Sequence, residues 1–374
     1  MKIIIDNKIP YIKGALEPFA EVIYLSGKDT TPEIVKNADA IITRTRTICN
    51  ENLLAGSTVK MIATATIGYD HIDTNYCEIN GIEWTNAPGC NSWSVAQYLM
   101  ATLFSLAQER GFCLSDKTIG VIGAGNVGSK IAKLCAILGM KVLVNDPPRA
   151  RAEGSTNFVT LEQIQSEADI VTFHTPLTRS GDDKTFHMAN KAFFDGCKKK
   201  PIFINSSRGE VMDTEAVKHT LAKNLISDAV IDCWENEPDI DLDLLKQAFI
   251  STPHIAGYSK DGKANGTSMS VQAISKKFNL GIDNWTCSDV ELPIKTTIEI
   301  DGRRKNEQSI LAEAILFTYP IHTDSKNLKL APKNFEQLRG DYPVRREFPV
   351  FTIKTKNIGS KTIEKLKAFG FQTT

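Results

Sequence analysis

A glycine-rich turn between a strand and a helix constrains the fold of this chain more than any other segment. The apolar run KTIGVIG (117–123) leads into GAGNVG (123–128), and the amphipathic stretch NVGSKIAKLCAILG (126–139) follows. The next apolar run, KVLVND (141–146), ends in an acidic residue. A strand, a glycine turn, a helix and a second strand within roughly thirty residues form a βαβ unit, which predicts a parallel sheet.

The spacing of this turn is typical of a dinucleotide site. Glycines permit a tight turn and a close approach of the pyrophosphate, and the following helix offers unpaired N–H groups and its positive dipole end. Asp146 lies where a carboxylate would accept hydrogen bonds from ribose hydroxyls and repel the additional phosphate of NADP. We therefore predict NAD as the cofactor; the alternative is a structural turn followed by a capping aspartate. The predicted contacts are Gly123, Gly125, Asn126, Val127, Gly128 and Asp146.

Short apolar runs alternate with helix-like stretches on both sides of this unit, which predicts further parallel strands. Those before it are KIIID (2–6), EVIYL (21–25), AIIT (40–43), VKMIATA (59–65) and IEWTN (82–86). Those after it are DIVTFH (169–174), PIFINS (201–206) and SDAVID (227–232). Between the two sets, residues 92–110 carry apolar side chains at helical spacing and predict a long, largely buried helix.

The pattern changes after residue 285. VELPIKTTIEIDG and YPVRREFPVFTIKT alternate apolar and polar residues, as half-buried antiparallel strands do. Two helix-like stretches lie near 307–319 and 359–369. This segment predicts a small α+β domain.

Composition excludes several classes of partner. Lys plus Arg and Asp plus Glu each number 44, so no broad basic surface is expected for nucleic acid or an anionic membrane. No apolar run approaches the roughly 18 residues that a membrane span needs. Eight cysteines form no CxxC pair, so we predict no metal site and reduced thiols in a cytoplasm.

Three later segments follow predicted strands with charged or titratable residues: NSSRGEVMD (205–213), DCWENEP (232–238) and TPHIAGYS (252–259). In an open parallel sheet, ligands bind beyond the carboxyl ends of the strands, so Arg208, Glu237 and His254 are predicted to share a cleft. Oxidation of an alcohol beside a carboxylate needs a base, which His254 would supply, with Glu237 orienting its ring. Arg208 would clamp the carboxylate. Taken singly, each residue has an ordinary structural alternative: a surface charge, a turn residue or a core histidine.

Several motifs carry a resemblance that covers essentially the whole chain. Over residues 1–285 the chain resembles the D-isomer-specific 2-hydroxyacid dehydrogenase superfamily, and PHIAGYS, NDPPRA and FEQLRGDYPVRREF resemble its erythronate-4-phosphate dehydrogenase family. The resemblance implies a flavodoxin-like substrate domain (1–92 and 257–285), a Rossmann NAD domain (93–256) and a C-terminal domain (286–374) that pairs two subunits. The implied fold class is thus two doubly wound parallel-sheet α/β domains plus a small α+β dimerisation domain.

The resemblance also implies an activity and site residues. The expected reaction is NAD-dependent oxidation of 4-phospho-D-erythronate to (R)-3-hydroxy-2-oxo-4-phosphooxybutanoate, in pyridoxal 5'-phosphate biosynthesis. It implies Arg208, Glu237 and His254 as catalytic residues and Thr45, Thr66 and Tyr258 as substrate contacts. The further NAD contacts that it implies are Thr175, Ser206, Ser207, Arg208, Asp232 and Gly257.

A phosphorylated substrate would need a second anion site besides Arg208. TRTRT (43–47) follows the predicted strand AIIT, so Arg44 and Arg46 are candidates; as an extended strand they would share one side, whereas a bend would separate them. The alternative is that both are solvated loop charges. Two other functions stay open: a 3-phosphoglycerate or other D-2-hydroxyacid dehydrogenase, and a binding module that senses the redox state of NAD.

Overall fold

The computed structural model describes all residues from 1 to 374. The chain forms two compact units, one of residues 1–91 and 259–291 and the other of residues 92–258 and 292–374. The three-domain boundaries predicted from the sequence stay a prediction. No helix combines the length and the apolar character that crossing a bilayer requires.

Short strands and helices alternate through the first 91 residues. The strands are β1 Lys2–Asp6, β2 Glu21–Leu25, β3 Ala40–Thr43, β4 Met61–Thr64 and β5 Glu83–Thr85. The helices are α1 Pro32–Val35, α2 Glu51–Leu54 and α3 Thr74–Ile79.

The middle of the chain begins with a long helix and continues in the same alternation. Its helices are α4 Ser92–Arg110, α5 Asn126–Ile137, α6 Pro147–Glu153, α7 Leu161–Glu167, α8 Lys191–Asp195, α9 Thr214–Ala222, α10 Leu242–Gln247 and α11 Lys260–Phe278. Its strands are β6 Thr118–Ile122, β7 Lys141–Asn145, β8 Ile170–Phe173, β9 Ile202–Asn205, β10 Asp228–Ile231 and β11 Ile250–Ser251.

The C-terminal segment adds four helices and three strands. The helices are α12 Glu307–Thr318, α13 Ile321–Leu330, α14 Phe335–Gly340 and α15 Ser360–Phe369. The strands are β12 Thr297–Asp301, β13 Thr352–Lys356 and β14 Gln372–Thr373.

The first unit is built on a parallel sheet with the order β2-β1-β3-β4-β5, the flavodoxin-like order expected. Successive residues of β1 face opposite cores: Ile3 and Ile5 belong to one and Ile4 to the other. Both faces are therefore covered, which explains why these strands are continuous apolar runs. α11 covers one face through Val271 and Ile274.

The second unit has a six-stranded parallel sheet with the order β11-β10-β9-β8-β6-β7. The order reverses between β6 and β8, which is where open α/β sheets bind ligands. The segment around Val159 lies beside β7, because the Val159 N–H donates to the Val144 carbonyl at 2.8 Å. This segment is not a regular strand, although it occupies the place of the third strand in one half of a Rossmann fold. The two parallel α/β sheets confirm the predicted fold class.

The C-terminal sheet corrects one expectation. β12, β13 and β14 are parallel, not antiparallel. Helices lie between the strands in the chain, as parallel pairing requires, and both helices predicted near 307–319 and 359–369 are present. Strand alternation has the same period in either direction, so the pattern alone did not distinguish them.

Helix α4 lies in the hydrophobic core of the second unit. All of its residues from Ser94 to Ala107 are buried, which confirms the predicted buried helix. Ile310, Leu311 and Ile315 of α12 belong to the same apolar core as Leu99 of α4. The C-terminal segment is therefore packed into the unit that carries the nucleotide turn.

Candidate active site

The three glycines of the turn after β6 have different surroundings. Gly123 has a φ of +88°, and a Cβ there would lie 2.7 Å from the His174 carbonyl oxygen. A Cβ on Gly128 would lie 1.9 Å from the Gly123 carbonyl oxygen, whereas one on Gly125 would meet no atom within 4 Å. The outer glycines are thus required by the turn and by helix packing, and Gly125 leaves open space where a pyrophosphate would approach.

Asp146 has a structural role at the end of β7. Its Oδ1 accepts the N–H of Arg149 at 3.0 Å and caps α6, while its Oδ2 accepts the N–H of Ala124 at 2.8 Å. The capping role, which the sequence offered as the alternative, is therefore present. The second bond fixes the carboxylate against the glycine turn, and this position is compatible with the predicted contact to a ribose.

Two buried hydroxyls fit a bound nucleotide. Thr175 Oγ1 follows β8, Ser206 Oγ follows β9, and neither has a hydrogen-bond partner in the protein. Buried polar atoms without a partner are uncommon, and a ligand is one way to satisfy them. Asn126, Val127 and Gly128 lie in the first turn of α5, where N–H groups lack partners within the helix. These features fit the NAD contacts predicted from the sequence.

Arg208 lies in a turn held closely against the segment that follows β10. Asn205 Nδ2 donates to the Arg208 carbonyl at 2.9 Å and to the Cys233 carbonyl at 3.2 Å. A Cβ on Gly209 would lie 1.9 Å from the Trp234 carbonyl oxygen, so only glycine permits this approach. Sequence reasoning did not single out Asn205 or Gly209, although both lie in the NSSRGEVMD motif.

Glu237 and His254 form the expected pair. His254 Nδ1 lies 2.8 Å from Glu237 Oε2, and Glu237 Oε1 accepts the Trp234 N–H at 2.8 Å. The carboxylate is thus held by the backbone while it orients the ring. The His254 side chain is 31% exposed, and its Nε2 is the ring nitrogen that Glu237 does not bind.

Asp232 positions the loop that carries His254. It is fully buried and accepts bonds from Thr252 Oγ1 at 2.7 Å, Ile255 N at 2.8 Å and Ala256 N at 3.0 Å. Burial raises the pKa of Asp232, and the charge of His254 together with these bonds opposes that rise. All of these carboxylate contacts are to protein, so the contact to NAD implied by the resemblance stays a prediction.

Cys233, Glu237 and His254 have potential metal-ligand atoms within 4.8 Å of one another. Burial raises the pKa of the Cys233 thiol well above its ordinary value, which disfavours the thiolate that binds metals. A metal would also have to displace the hydrogen bond between Glu237 and His254. The chemistry of this donor set therefore fits a proton-transfer pair better than a metal centre.

The C-terminal segment supports the same loop through residues that the sequence analysis did not identify. The buried Arg345 donates to the Ala256 carbonyl at 2.5 Å and to Ser94 Oγ. Its guanidinium lies 4.5 Å from the centre of the Tyr319 ring. The RREF part of the C-terminal motif was visible in the sequence, but nothing in it indicated a partner more than 80 residues earlier.

The substrate residues predicted in the first unit cluster after β3 and β4. The chain bends at residues 45–47, so TRTRT is not an extended strand. Arg44 Nη1 donates to the Lys8 carbonyl at 3.2 Å, and Thr66 Oγ1 lies 2.8 Å from Thr64 Oγ1, which reaches the Arg44 carbonyl. Thr45 and Arg46 are exposed.

The remaining predicted residues, Ser207, Gly257 and Tyr258, lie in the second unit. Ser207 Oγ donates to Asn205 Oδ1 at 2.9 Å. Gly257 and Tyr258 are half-buried in the loop after β11, and the Tyr258 ring contacts the ring of Tyr342 edge-on at 6.0 Å. The second unit therefore brings together Arg208, Glu237, His254 and Tyr258 at strand ends, whereas Arg44, Thr45, Arg46 and Thr66 belong to the first.

Comparison with known proteins shows the family to which the chain belongs. Residues 94–256 match the NAD binding domain of D-isomer specific 2-hydroxyacid dehydrogenases, and residues 292–370 match a domain of unknown function. An erythronate-4-phosphate dehydrogenase of Bacteroides fragilis is 53% identical over 94% of this chain and 99% of its own. The chain belongs to the erythronate-4-phosphate dehydrogenase family. The family's enzymes from Porphyromonas gingivalis and Proteus mirabilis are 41% and 37% identical, covering 97% and 100% of both chains.

Solved structures of other dehydrogenases are also similar to this chain. A D-lactate dehydrogenase from Aquifex aeolicus, complexed with NAD and lactic acid, is 26% identical with a TM-score of 0.60 and covers 78% of this chain and 100% of its own. An NAD-bound 3-phosphoglycerate dehydrogenase from Entamoeba histolytica is 24% identical with a TM-score of 0.62 and covers 78% and 99%. The second likeness concerns the fold alone. NAD is the cofactor that the matched domain binds, as predicted.

Proposed function

We propose that the protein oxidises 4-phospho-D-erythronate to (R)-3-hydroxy-2-oxo-4-phosphooxybutanoate with NAD, as a step of pyridoxal 5'-phosphate biosynthesis. The observation that carries the proposal is the Glu237–His254 pair, at 2.8 Å, in a chain 53% identical to an erythronate-4-phosphate dehydrogenase. The pair lies beyond the carboxyl ends of the same parallel sheet that holds the glycine turn.

The reaction removes a hydride and a proton from one secondary alcohol. His254 accepts the hydroxyl proton at Nε2, because Nδ1 is occupied by Glu237. Glu237 keeps the ring proton on Nδ1 and balances the positive charge that the ring acquires. Its own position is fixed by the Trp234 N–H, so the pair is held ready before the substrate binds.

Arg208 binds the carboxylate beside the reacting carbon and polarises the oxygen as it becomes a carbonyl. Its Nη1 donates to the Ser207 carbonyl at 2.8 Å, which orients the guanidinium and leaves other N–H groups for the substrate. When bound, NAD supplies the hydride acceptor. The glycine turn, Asp146, Thr175 and Ser206 would hold it, with Ser207, Asp232 and Gly257 as the further contacts predicted.

In the first unit, Arg44, Thr45, Arg46 and Thr66 are the proposed substrate contacts, together with Tyr258 of the second. Guanidinium groups and hydroxyls are donors suited to a phosphate. Thr66 Oγ1 donates to the Gly68 carbonyl at 2.8 Å, which fixes its orientation in the loop.

The assay measures NADH formation with 4-phospho-D-erythronate, D-erythronate, 3-phospho-D-glycerate and D-lactate. We expect the highest kcat/KM for the first acid. Equal use of phosphorylated and unphosphorylated acids would replace the proposal with a general D-2-hydroxyacid dehydrogenase. NAD binding without turnover of any acid would favour a redox-sensing module.

We also propose that the protein is a cytoplasmic homodimer that pairs through its C-terminal segment. Leu292, Ile294 and Leu330 of this segment are 63%, 102% and 73% exposed, and these are apolar side chains that a second subunit would cover. The eight cysteines are all free thiols, as in a reducing compartment. Helix α4 is buried within its own chain and offers no such surface.

Light scattering on the full chain tests the dimer. Ile294→Glu and Leu330→Glu are expected to shift the mass from that of two chains to that of one. Ile79→Glu, at a residue 76% exposed in the first unit, is the matched control and should leave the mass unchanged. A monomeric wild type would contradict the proposal.

A further inference from the structure

Arg339 of helix α14 lies beside the loop that carries the proposed base. Its guanidinium carbon is 5.7 Å from the centre of the Tyr258 ring and 5.9 Å from that of the buried Phe335. Tyr258 is four residues after His254 on the same loop. The C-terminal segment therefore brings a positive charge to the site formed by the strand ends.

We propose that Arg339 is a specificity-determining residue that binds the phosphate of the substrate. The proposal rests on the function proposed above. Neither the glycine turn nor the Arg208, Glu237 and His254 set provides for this second anion, and Arg339 would add a donor to those proposed at Arg44 and Arg46.

The bonding of Arg339 leaves donors for a ligand. Nη1 donates to Glu336 Oε1 at 3.0 Å, whereas the buried Nε has no hydrogen-bond partner. The Arg339 side chain is 23% exposed and that of Glu336 is 48% exposed. The guanidinium is therefore partly enclosed, whereas its carboxylate partner is more exposed to solvent. A planar group with five N–H donors can bind a phosphate through two of them at once.

Charges around Arg339 place it within the electrostatic field of the site. Burial lowers the pKa of Arg339, but the nearby Tyr258, Glu237, Glu336 and Asp232 more than offset this, and the net shift is upward. The charges of Arg208 and Arg339 both act to lower the pKa of the buried Cys233 thiol. Both guanidinium groups thus act on the same strand-end region, from different segments of the chain.

The charge balance explains why a second arginine is needed. Glu237, Asp232 and Asp324 are three carboxylates in this region, and Arg208 and the buried Arg345 compensate only two of them. A substrate that carries a carboxylate and a phosphate would meet net repulsion there without a further cation. The phosphate is two carbons from the reacting carbon, so a donor beside Tyr258, on the loop that carries His254, is suitably placed.

The location of Arg339 in the C-terminal segment also favours a role in specificity. The match to the superfamily's NAD binding domain ends at residue 256, and Arg339 lies in the separate segment 292–370. The D-lactate dehydrogenase that covers all of its own chain covers 78% of this one. A residue outside the shared part of the fold is suited to distinguish a phosphorylated acid from lactate.

The test compares kcat/KM for 4-phospho-D-erythronate with that for D-erythronate in wild type, Arg339→Met and Arg339→Lys. Loss of charged hydrogen bonds should reduce the wild-type ratio by about 10- to 100-fold in Arg339→Met. The ratio for Arg339→Lys should lie between those of wild type and Arg339→Met, because lysine keeps the charge but lacks the planar guanidinium. Inhibition by inorganic phosphate should weaken in the same order.

Arg303→Met is the matched control, since Arg303 is a C-terminal arginine 70% exposed and paired with Asp301. Equal losses with both acids in Arg339→Met would overturn the proposal and assign Arg339 to packing against Tyr258. An unchanged ratio would also overturn it while leaving the proposed function intact. If the wild type itself does not prefer the phosphorylated acid, the proposed function fails and the inference fails with it.

Discussion

Replacing Glu237 with glutamine tests whether this carboxylate sets the protonation of the base. Its two oxygens accept bonds from Trp234 N and His254 Nδ1, both at 2.8 Å. Glutamine has the same shape but only one acceptor oxygen, and its other terminal atom is a donor. The variant can therefore satisfy one of these two donors but not both.

Each orientation of the glutamine has a different cost. If its oxygen keeps the Trp234 N–H, its NH₂ group faces His254 Nδ1, and the ring proton moves to Nε2, the atom that must accept the substrate proton. If the oxygen keeps Nδ1–H, the Trp234 N–H is unsatisfied, at about 1–3 kcal/mol. Both orientations lose a charge-assisted bond to the developing imidazolium, about 1.5–3 kcal/mol. A total of about 2.5–6 kcal/mol corresponds to a loss of about 10²- to 10⁴-fold in kcat.

The chain contains a matched control. Glu235 binds His187 Nε2 at 2.7 Å with one oxygen and the Thr214 N–H at 2.8 Å with the other. Glu235→Gln should disturb folding stability to a similar degree but leave kcat within a few-fold of wild type. NADH absorbance at saturating NAD measures kcat, and thermal unfolding measures stability. The reasoning is refuted if Glu237→Gln retains more than a third of wild-type kcat, or if Glu235→Gln loses as much.

Four further predictions concern the base, the cofactor, the phosphate and pH. His254→Ala should reduce kcat by about 10²- to 10⁴-fold while NAD affinity, measured by calorimetry, stays near wild type; near-normal turnover would remove His254 from the mechanism. Asp146→Ala should weaken NAD binding and reduce the preference for NAD over NADP. An unchanged ratio of the two affinities would mean that another acidic residue discriminates between them. Arg44→Ala or Arg46→Ala should reduce the preference for 4-phospho-D-erythronate over D-erythronate; a preference intact in both would exclude these arginines. Burial lowers the pKa of His174 to about 3, so the unfolded chain binds a proton that the folded chain does not, and stability is lost as pH falls below about 6.5. We measure the free energy of unfolding in urea at pH 7 and pH 5. It should fall by about 2 kcal/mol less in His174→Gln than in wild type, and equal decreases would contradict this.

The features predictable from sequence were those encoded by neighbouring residues. The glycine turn, Asp146 after β7 and the parallel sheets follow from apolar runs and their spacing, and the structure contains them. The pairing of Glu237 with His254 was predictable because parallel strands bring their carboxyl ends to one edge. Their separation of 2.8 Å required the backbone of Trp234 to hold the carboxylate, and no local pattern encodes that contact.

Contacts between distant segments were not predictable in the same way. The predicted direction of the C-terminal strands was wrong, because alternation has a period of two in parallel and antiparallel sheets alike. Arg345 lies 89 residues after Ala256, whose carbonyl it binds, and a single sequence gives no signal for such a pair. The bend in TRTRT was predicted only as an alternative to an extended strand, since no glycine or proline marks it.

The loop after β11 shows how the C-terminal segment can influence chemistry in the neighbouring fold. At one end, Tyr98 donates to Thr252 Oγ1 at 2.8 Å, and that hydroxyl in turn donates to Asp232 at 2.7 Å. At the other end, Arg345 binds the Ala256 carbonyl. Burial raises the pKa of Asp324, and this rise is opposed by the charge of Arg345 and by hydrogen bonds that two tyrosines donate to Asp324. His254 lies between these anchors, so its position depends on both segments. A domain that supports the base and also supplies Arg339 beside Tyr258 can alter substrate choice without changing the proton-transfer pair.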